Sequence, residues 1–478
     1  MAFNSFTYVF CFFPAVALIF ALARKIGGAR AGQGALLLGS LVAYAWPKPS
    51  NLWLLGGSIV VNWFLARRMA AETRESTRRR WLQLGLLLNI GFLCLFKYVN
   101  FFLSNLMLLG LPRVALPDWA FPLGISFFTL QQIMYLVDCY EGLISPSGLL
   151  DHATFVAFFP NVTSGPLARA KAMVPQLTAP KLTSDERWEL GAQGLFLFAT
   201  GIGKKVLLAD SFARVADVGF AAGATDWSTV EAWVFSVAYT MQIYFDFSGY
   251  TDMALGSAAM LGIRLPRNFN APFRARTVIE FWQRWHMSLS AFITTYLYTP
   301  ILRAFSRATL VTAAVATLLS MTIAGLWHGP SWTFVVFGLL HGIALVVNQV
   351  RKKAKSKRLP KLPPLIATAV TFAFVNLTFI FFRSPDLTTA AHFAAQLLPR
   401  PGGLGVELLR EVRKVGVTTL LPLLAFGLYA AFAGKTSDEL AGALKRSTLA
   451  SASAAALLLA SFLYLNSNIA KQFVYFAF

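Results

Sequence analysis

Apolar runs of about the length that crosses a 30 Å hydrocarbon core recur from Phe6 to Leu465, separated by glycine, proline or basic turns. The pattern predicts helices over 6–23, 34–46, 51–66, 81–103 and 120–140, and again over 362–382, 416–433 and 449–465. Between Asp151 and Pro180 the pattern breaks at Phe159-Pro160 and Ser164-Gly165-Pro166, which predicts a re-entrant segment lined by protein. Trp188 to Leu208 reads as a helix partly at the interface, with Lys204 and Lys205 snorkelling outward. From Val230 to Leu345 polar and ionisable residues interrupt the apolar ones, and the site is expected there, because charges kept inside spans usually line a cavity or serve chemistry.

Ten-residue alternation of the outer-membrane barrel type is absent, and open sheets cannot satisfy their backbone in lipid, so the fold class is an all-α polytopic membrane protein. Roughly eleven transmembrane helices fit the chain. Composition agrees: 56% of residues are hydrophobic and 13% charged, and the charged share is about half that of a soluble domain. We read 1–478 as one membrane domain, with scaffold helices over 1–150, a catalytic core over 151–350 and C-terminal helices over 351–478.

The net charge of +21 changes the picture only through its placement. Its cations cluster in short connections, at Arg24, Lys25 and Arg30, at Arg67 through Arg80, and at Arg351 through Lys361. That is the positive-inside pattern, and it predicts an extracytoplasmic N-terminus. Contacts with anionic lipids or partners are the alternative use of the same side chains. No aromatic-interleaved basic groove appears, so nucleic acid is not an expected partner. The first apolar run is followed, not preceded, by its charges and is not read as a cleavable signal. Cys11, Cys94 and Cys139 lie in apolar stretches and imply neither disulfide nor metal.

Of five histidines, His328 sits in Gly325-Leu326-Trp327-His328-Gly329-Pro330 at the end of an apolar run. There an imidazole can face a pocket and take a proton from a hydroxyl, or attack an acyl group, near neutrality. On spacing alone, a buried structural histidine is the commoner case. His286 lies in Phe281-Trp282-Gln283-Arg284-Trp285-His286, with Glu280 and Arg284 one helical turn apart. It is either part of an interfacial helix or a second catalytic imidazole. Tyr244-Phe245-Asp246-Phe247-Ser248-Gly249-Tyr250-Thr251-Asp252-Met253 carries two carboxylates, with Arg264, Arg267 or Arg284 as candidate partners; Asp246 reads as structural and hydrogen-bonded, with a proton acceptor as the alternative. His341 reads as a satisfied helix histidine, and His152 and His392 as loop residues. Metal, nucleotide and serine-hydrolase motifs are absent, and no metal or bound cofactor is expected.

Phe159-Pro160 with Ser164-Gly165-Pro166, then Tyr244 to Tyr250, Asn268-Phe269-Asn270-Ala271-Pro272-Phe273, Phe281 to His286 and Trp327-His328-Gly329 occur in an order that resembles the membrane-bound O-acyltransferase family. The resemblance is to its bacterial branch of alginate O-acetylases and D-alanyl transfer proteins. It implies tilted helices, with re-entrant and interfacial ones, around a central tunnel. It also implies catalysis at His328 with His286, with Asp246, Ser248, Trp285, Trp327, Asn268 and Arg284 lining or supporting the tunnel. His328 is then a general base or a transient acyl carrier. The implied reaction takes acetyl, or a similar acyl group, from a cytoplasmic donor such as acetyl-CoA to an extracytoplasmic polysaccharide. A periplasmic acyltransferase with a serine nucleophile is the implied partner, and the inner membrane the implied location. Ala291 to Arg303 departs from the alginate enzymes, which carry an Arg-Asp before the Tyr-Leu-Tyr and a Gly-Gly-Asn-Arg loop after it, and so points to another polysaccharide system. D-Alanyl transfer to teichoic acid is the rival enzyme reading, and a proton-coupled transporter or a scaffold the rivals from other classes.

Overall fold

The computed structural model describes the chain apart from residues 111, 113, 118–121, 180–181, 222–226, 354–361, 400–416, 444–447, 468–472 and 474–478. Most of the predicted basic loop and the aromatic end beyond Phe473 therefore lie outside the described residues. The described residues form helices and turns with no strand among them. Five helices are long and apolar enough to cross a membrane: Thr7–Ala45, Glu75–Leu108, Leu310–His328, Trp332–Lys353 and Pro364–Arg383. The chain is a multi-pass membrane protein. Further helices run over Val417–Phe432 and Thr448–Ser467, and Thr229–Met260 carries the buried polar groups Thr240, Asp246 and Ser248.

Two boundaries differ from the hydropathy reading. The segments 6–23 and 34–46 belong to one helical stretch, broken only at Gly28, whose φ of 75° and ψ of −167° only glycine adopts without strain. Of the arginines of the 67–80 cluster only Arg74 sits in the connection: Arg67 and Arg68 end the helix Asn51–Ala71, and Arg78, Arg79 and Arg80 lie in the first turns of the next, Glu75–Leu93.

The chain divides into two compact units, the first comprising 1–198, 251–266 and 444–452, and the second 199–250, 267–443 and 453–478. In the first, the segment predicted to be re-entrant consists of two nine-residue helices, Leu149–Ala157 and Ala170–Thr178, joined by a buried turn. Each spans only about 14 Å. Side chains tie this irregular segment down: Ser40 Oγ accepts from the Phe159 amide at 3.2 Å, and the Asp151 carboxylate accepts from Arg30 and Gln33 at 2.5 and 2.9 Å. Arg169 grips Asp138 through two bonds of 2.7 and 3.2 Å. His152 is in the first of these helices and not in a loop; it is fully buried with its ring 4.2 Å from Tyr135.

In the second unit, Leu310–His328 and Trp332–Lys353 form a tight hairpin. A β-carbon on Gly325 would lie 2.4 Å from the Phe334 carbonyl, and one on Gly338 would lie 2.3 Å from the Met321 carbonyl. Two helices in lipid gain their contact by such close backbone approach. Gly338→Val is therefore expected to separate the hairpin that carries His328, lowering the midpoint of thermal unfolding in detergent by several degrees and reducing activity in parallel. An unchanged midpoint would show that the approach is dispensable. His392, read as a loop residue, lies in the helix Leu387–Gln396, where its Nε2 meets Gln396 Nε2 at 2.9 Å.

Candidate active site

His328 is the last residue of its helix and is buried, 6% exposed, inside an aromatic shell. Its ring lies edge-on to Trp327 at 5.0 Å, Phe382 at 5.2 Å and Phe337 at 6.1 Å. The Pro364–Arg383 helix supplies Phe379 and Phe382, and Phe379 packs on Phe337 at 6.1 Å and on Trp285 at 5.4 Å. One aromatic cluster thus runs from His328 to the residue preceding His286.

The Asn268–Ala271 segment runs beside Arg284–Ser288. The Asn270 amide donates to the Arg284 carbonyl and the Met287 amide to the Asn268 carbonyl, each at 2.9 Å. Thr277 caps the short helix Val278–Trp282 by accepting from the Glu280 amide. Arg284 closes the segment with Glu280 at 2.8 Å and the Asn270 carbonyl at 3.3 Å. Ala271 and His286 have φ of 45° and 44°, the two non-glycine residues with left-handed backbone among those described. Such conformations persist where surrounding bonds over-determine them, and they collect at functional sites.

His286 is fully buried. Asn268 Oδ1 accepts from the Ser288 amide at 3.2 Å, from the Ser288 hydroxyl at 2.8 Å and stands 3.0 Å from His286 Nδ1. An amide N–H can only donate, so the Asn268 atom in this position is its oxygen, and Nδ1 must be the protonated ring nitrogen. In the neutral ring the lone pair then sits on Nε2. The Phe247 ring stands edge-on to His286 at 4.7 Å and brings the Tyr244–Tyr250 motif to it. Asn268→Ala is expected to destabilise the protein by about 1–3 kcal/mol, because buried donors lose their acceptor. It also releases the imidazole, so kcat falls while Asn268→Asp, which retains an acceptor, unfolds closer to wild type. Thermal unfolding and turnover of the two variants test this, and equal behaviour would refute it.

His341, also fully buried, is satisfied on both sides: Trp282 Nε1 donates to its Nδ1 at 3.2 Å, and its Nε2 faces Thr378 Oγ1 at 3.0 Å. Since indole N–H only donates, Nδ1 is the acceptor and Nε2 carries the hydrogen. The ring is committed to holding three helices together.

Asp246 corrects the sequence reading. Its cation is none of the three arginines but Lys205, whose Nζ lies 2.8 Å from Asp246 and 2.7 Å from Asp210. Arg284 is engaged with Glu280, and Arg267 with Asp438 at 2.6 Å. Lys205 does not snorkel; it is 4% exposed and sits in the π-helical turn Lys204–Ala209. Residues five apart come together in such a turn, which brings Lys205 to Asp210. The sequence signal was an opposite-charge pair inside an apolar stretch. Ser248, two residues after Asp246, is buried with no hydrogen-bond partner for its hydroxyl among the described residues. Trp285 is buried against Phe269 at 5.0 Å and Phe281 at 5.6 Å. No group of three histidine, cysteine or acidic side chains suited to a metal occurs among the described residues.

Residues 76–384 match the model of the membrane-bound O-acyltransferase family. The chain is 35% identical to the peptidoglycan O-acetyltransferase of Helicobacter pylori, over 93% of this chain and 91% of that one. It is 35% identical to the probable alginate O-acetylase of Azotobacter vinelandii, over 88% and 82%. It is 30% identical to the teichoic acid D-alanyltransferase of Streptococcus thermophilus over 54% of this chain and 68% of that one. A helical membrane body with buried imidazoles at Trp-His pairs, matched over this length, has one reading: the chain belongs to the membrane-bound O-acyltransferase family and is an O-acyltransferase.

Proposed function

We propose that this chain moves an acetyl group from cytoplasmic acetyl-CoA through the bacterial inner membrane for O-acetylation of an extracytoplasmic polysaccharide, with its N-terminus outside the cytoplasm. The observation that carries the reading is His328, held at a helix end in an aromatic shell that continues to the Asn268-oriented His286. The names of the relatives support acetyl as the group and a cell-surface polymer as the destination.

In this reading His328 takes the proton of an acceptor hydroxyl as its oxygen attacks the thioester carbonyl. The C–S bond breaks, and the thiolate leaves as CoA-SH with a proton. Alternatively, the imidazole holds the acyl group transiently and passes it on. His286, with its Nδ1–H fixed by Asn268, orients the reacting groups or steadies developing charge. Asp246, Ser248, Trp285, Trp327 and Arg284 hold or line the path. A periplasmic acyltransferase with a serine nucleophile receives the group and delivers it to the polymer.

The test is transfer from radiolabelled acetyl-CoA by the protein in nanodiscs, with and without that partner. Label on partner or polymer is the expected result. Label that appears only when an acylated carrier protein replaces acetyl-CoA would overturn the donor and favour D-alanyl-type transfer. Substrate translocation without any acyl donor would favour a transporter.

A further inference from the structure

In the first unit a cavity of about 650 Å³ opens between the N-terminal helical stretch, the helix Ala170–Thr178, the helix Ser184–Gly203 and the turn 261–264. Its floor is apolar, built by Phe20, Leu36, Leu177, Leu190 and Met260. Its lining also includes four cations, Arg24, Lys25, Arg187 and Arg264, and no carboxylate. Two of them are braced: Arg24 Nη2 donates to the Ala179 carbonyl at 2.5 Å and Arg187 Nη2 to the Leu182 carbonyl at 3.2 Å. Gln176 bonds both the amide and the carbonyl of Arg264, at 2.9 and 3.1 Å, so the turn that presents this guanidinium is fixed too. Glu186 lies next to Arg187, and its carboxyl is held below its usual range mainly by the Thr183 amide and hydroxyl, with Arg264 a smaller cause.

The surroundings place this cavity at the level where headgroups meet acyl chains. Leu18, Ile19, Leu22 and Ile26 beside it are exposed, as a lipid-facing helix requires, and the stretch breaks immediately afterwards at Gly28. Trp188, 77% exposed on the neighbouring helix, is the residue type that gathers at membrane interfaces. An apolar floor with four clustered cations at that depth matches one chemistry, a phosphate joined to acyl chains. We propose that this cavity binds an anionic glycerophospholipid, with the phosphate among Arg24, Lys25, Arg187 and Arg264 and an acyl chain along the floor. Bound there, the lipid joins the two helical arms of the N-terminal stretch to the helix Ser184–Gly203. No histidine is among the residues lining this cavity, and the inference does not rest on the identity of the acyl donor.

The test uses the full chain in nanodiscs containing phosphatidylglycerol and phosphatidylcholine in equal amounts, with bound lipid counted by native mass spectrometry. Wild type is expected to retain phosphatidylglycerol selectively. Lys25→Gln/Arg187→Gln/Arg264→Gln is expected to lose about fivefold in retention per cation removed, near a hundredfold together. These side chains are exposed, and an unchanged thermal midpoint establishes that the variant is folded. A control with Arg74, Arg79 and Arg80 changed to glutamine removes equal charge elsewhere and should retain the lipid. Ala21→Trp fills the floor without altering charge and should lose the lipid as well. Equal retention of both lipids, equal loss in the control, or unchanged retention in the triple variant would overturn the site. Displacement of the lipid by acetyl-CoA or inorganic phosphate alone would show a phosphate site without a lipid chain, and would overturn it too.

Discussion

His328→Ala lowers acyl transfer by about 10²- to 10⁴-fold, the range that a positioned acid–base group contributes. The side chain is buried at the end of the Leu310–His328 helix against the rings of Trp327, Phe337 and Phe382, so the change removes proton-accepting capacity together with that packing. His328→Gln, closer in volume, keeps more of the packing and fails equally, because an amide cannot take the hydroxyl proton. Single-turnover transfer of labelled acyl group, with the thermal midpoint measured alongside, separates the two causes. A folded glutamine variant with more than a tenth of wild-type turnover would remove His328 from the chemistry. A loss confined to KM, with kcat intact, would place it in binding instead.

Lys205→Met has its largest effect on stability. The lysine is shared by Asp210 and Asp246 at 2.7 and 2.8 Å, and all three side chains are buried. Removing one partner of a buried ionic cluster costs about 3–5 kcal/mol, because the charges left behind have been stripped of water and brought close together. The expected result is a large fall in the thermal midpoint in detergent. Neutralising the acids as well, in Lys205→Met/Asp210→Asn/Asp246→Asn, should recover much of it. Activity then separates two roles: recovered stability with recovered turnover makes the cluster structural, whereas recovered stability with turnover still lost ties it to the reaction. The second outcome has a route, because Asp246 precedes Phe247, whose ring stands against His286. A single variant as stable as wild type would refute the cluster's importance.

Hydropathy alone was enough for the class of fold, and it marked where a site is to be expected. Lipid leaves no other arrangement for runs of this length and polarity, so hydropathy decides the helices, and the expense of polar groups in lipid marks Val230 to Leu345 as the part that does something. His328 and His286 stand out as candidates for the same reason, whereas Asn268 is named through the family resemblance. Periodicity could also separate His341 as a helix histidine, although not name Trp282 and Thr378 as the groups that hold it.

What the tertiary structure decided were pairings between residues far apart in the chain. Asp246 faces Lys205 and not the nearer arginines, because a π-helical turn rotates the lysine inward; hydropathy, which counts a lysine as a lysine, read it as snorkelling. The tautomer of His286 depends on an oxygen 18 residues away, and the link between the two Trp-His pairs runs through Phe379 and Phe382 of the helix Pro364–Arg383. His152 and His392 read as loop residues in the sequence although they lie in helices, because segments of nine and ten residues hold too few turns for a clear periodic signal. Local chemistry sets which residues must leave water, and only the folded chain chooses the partner each one meets there.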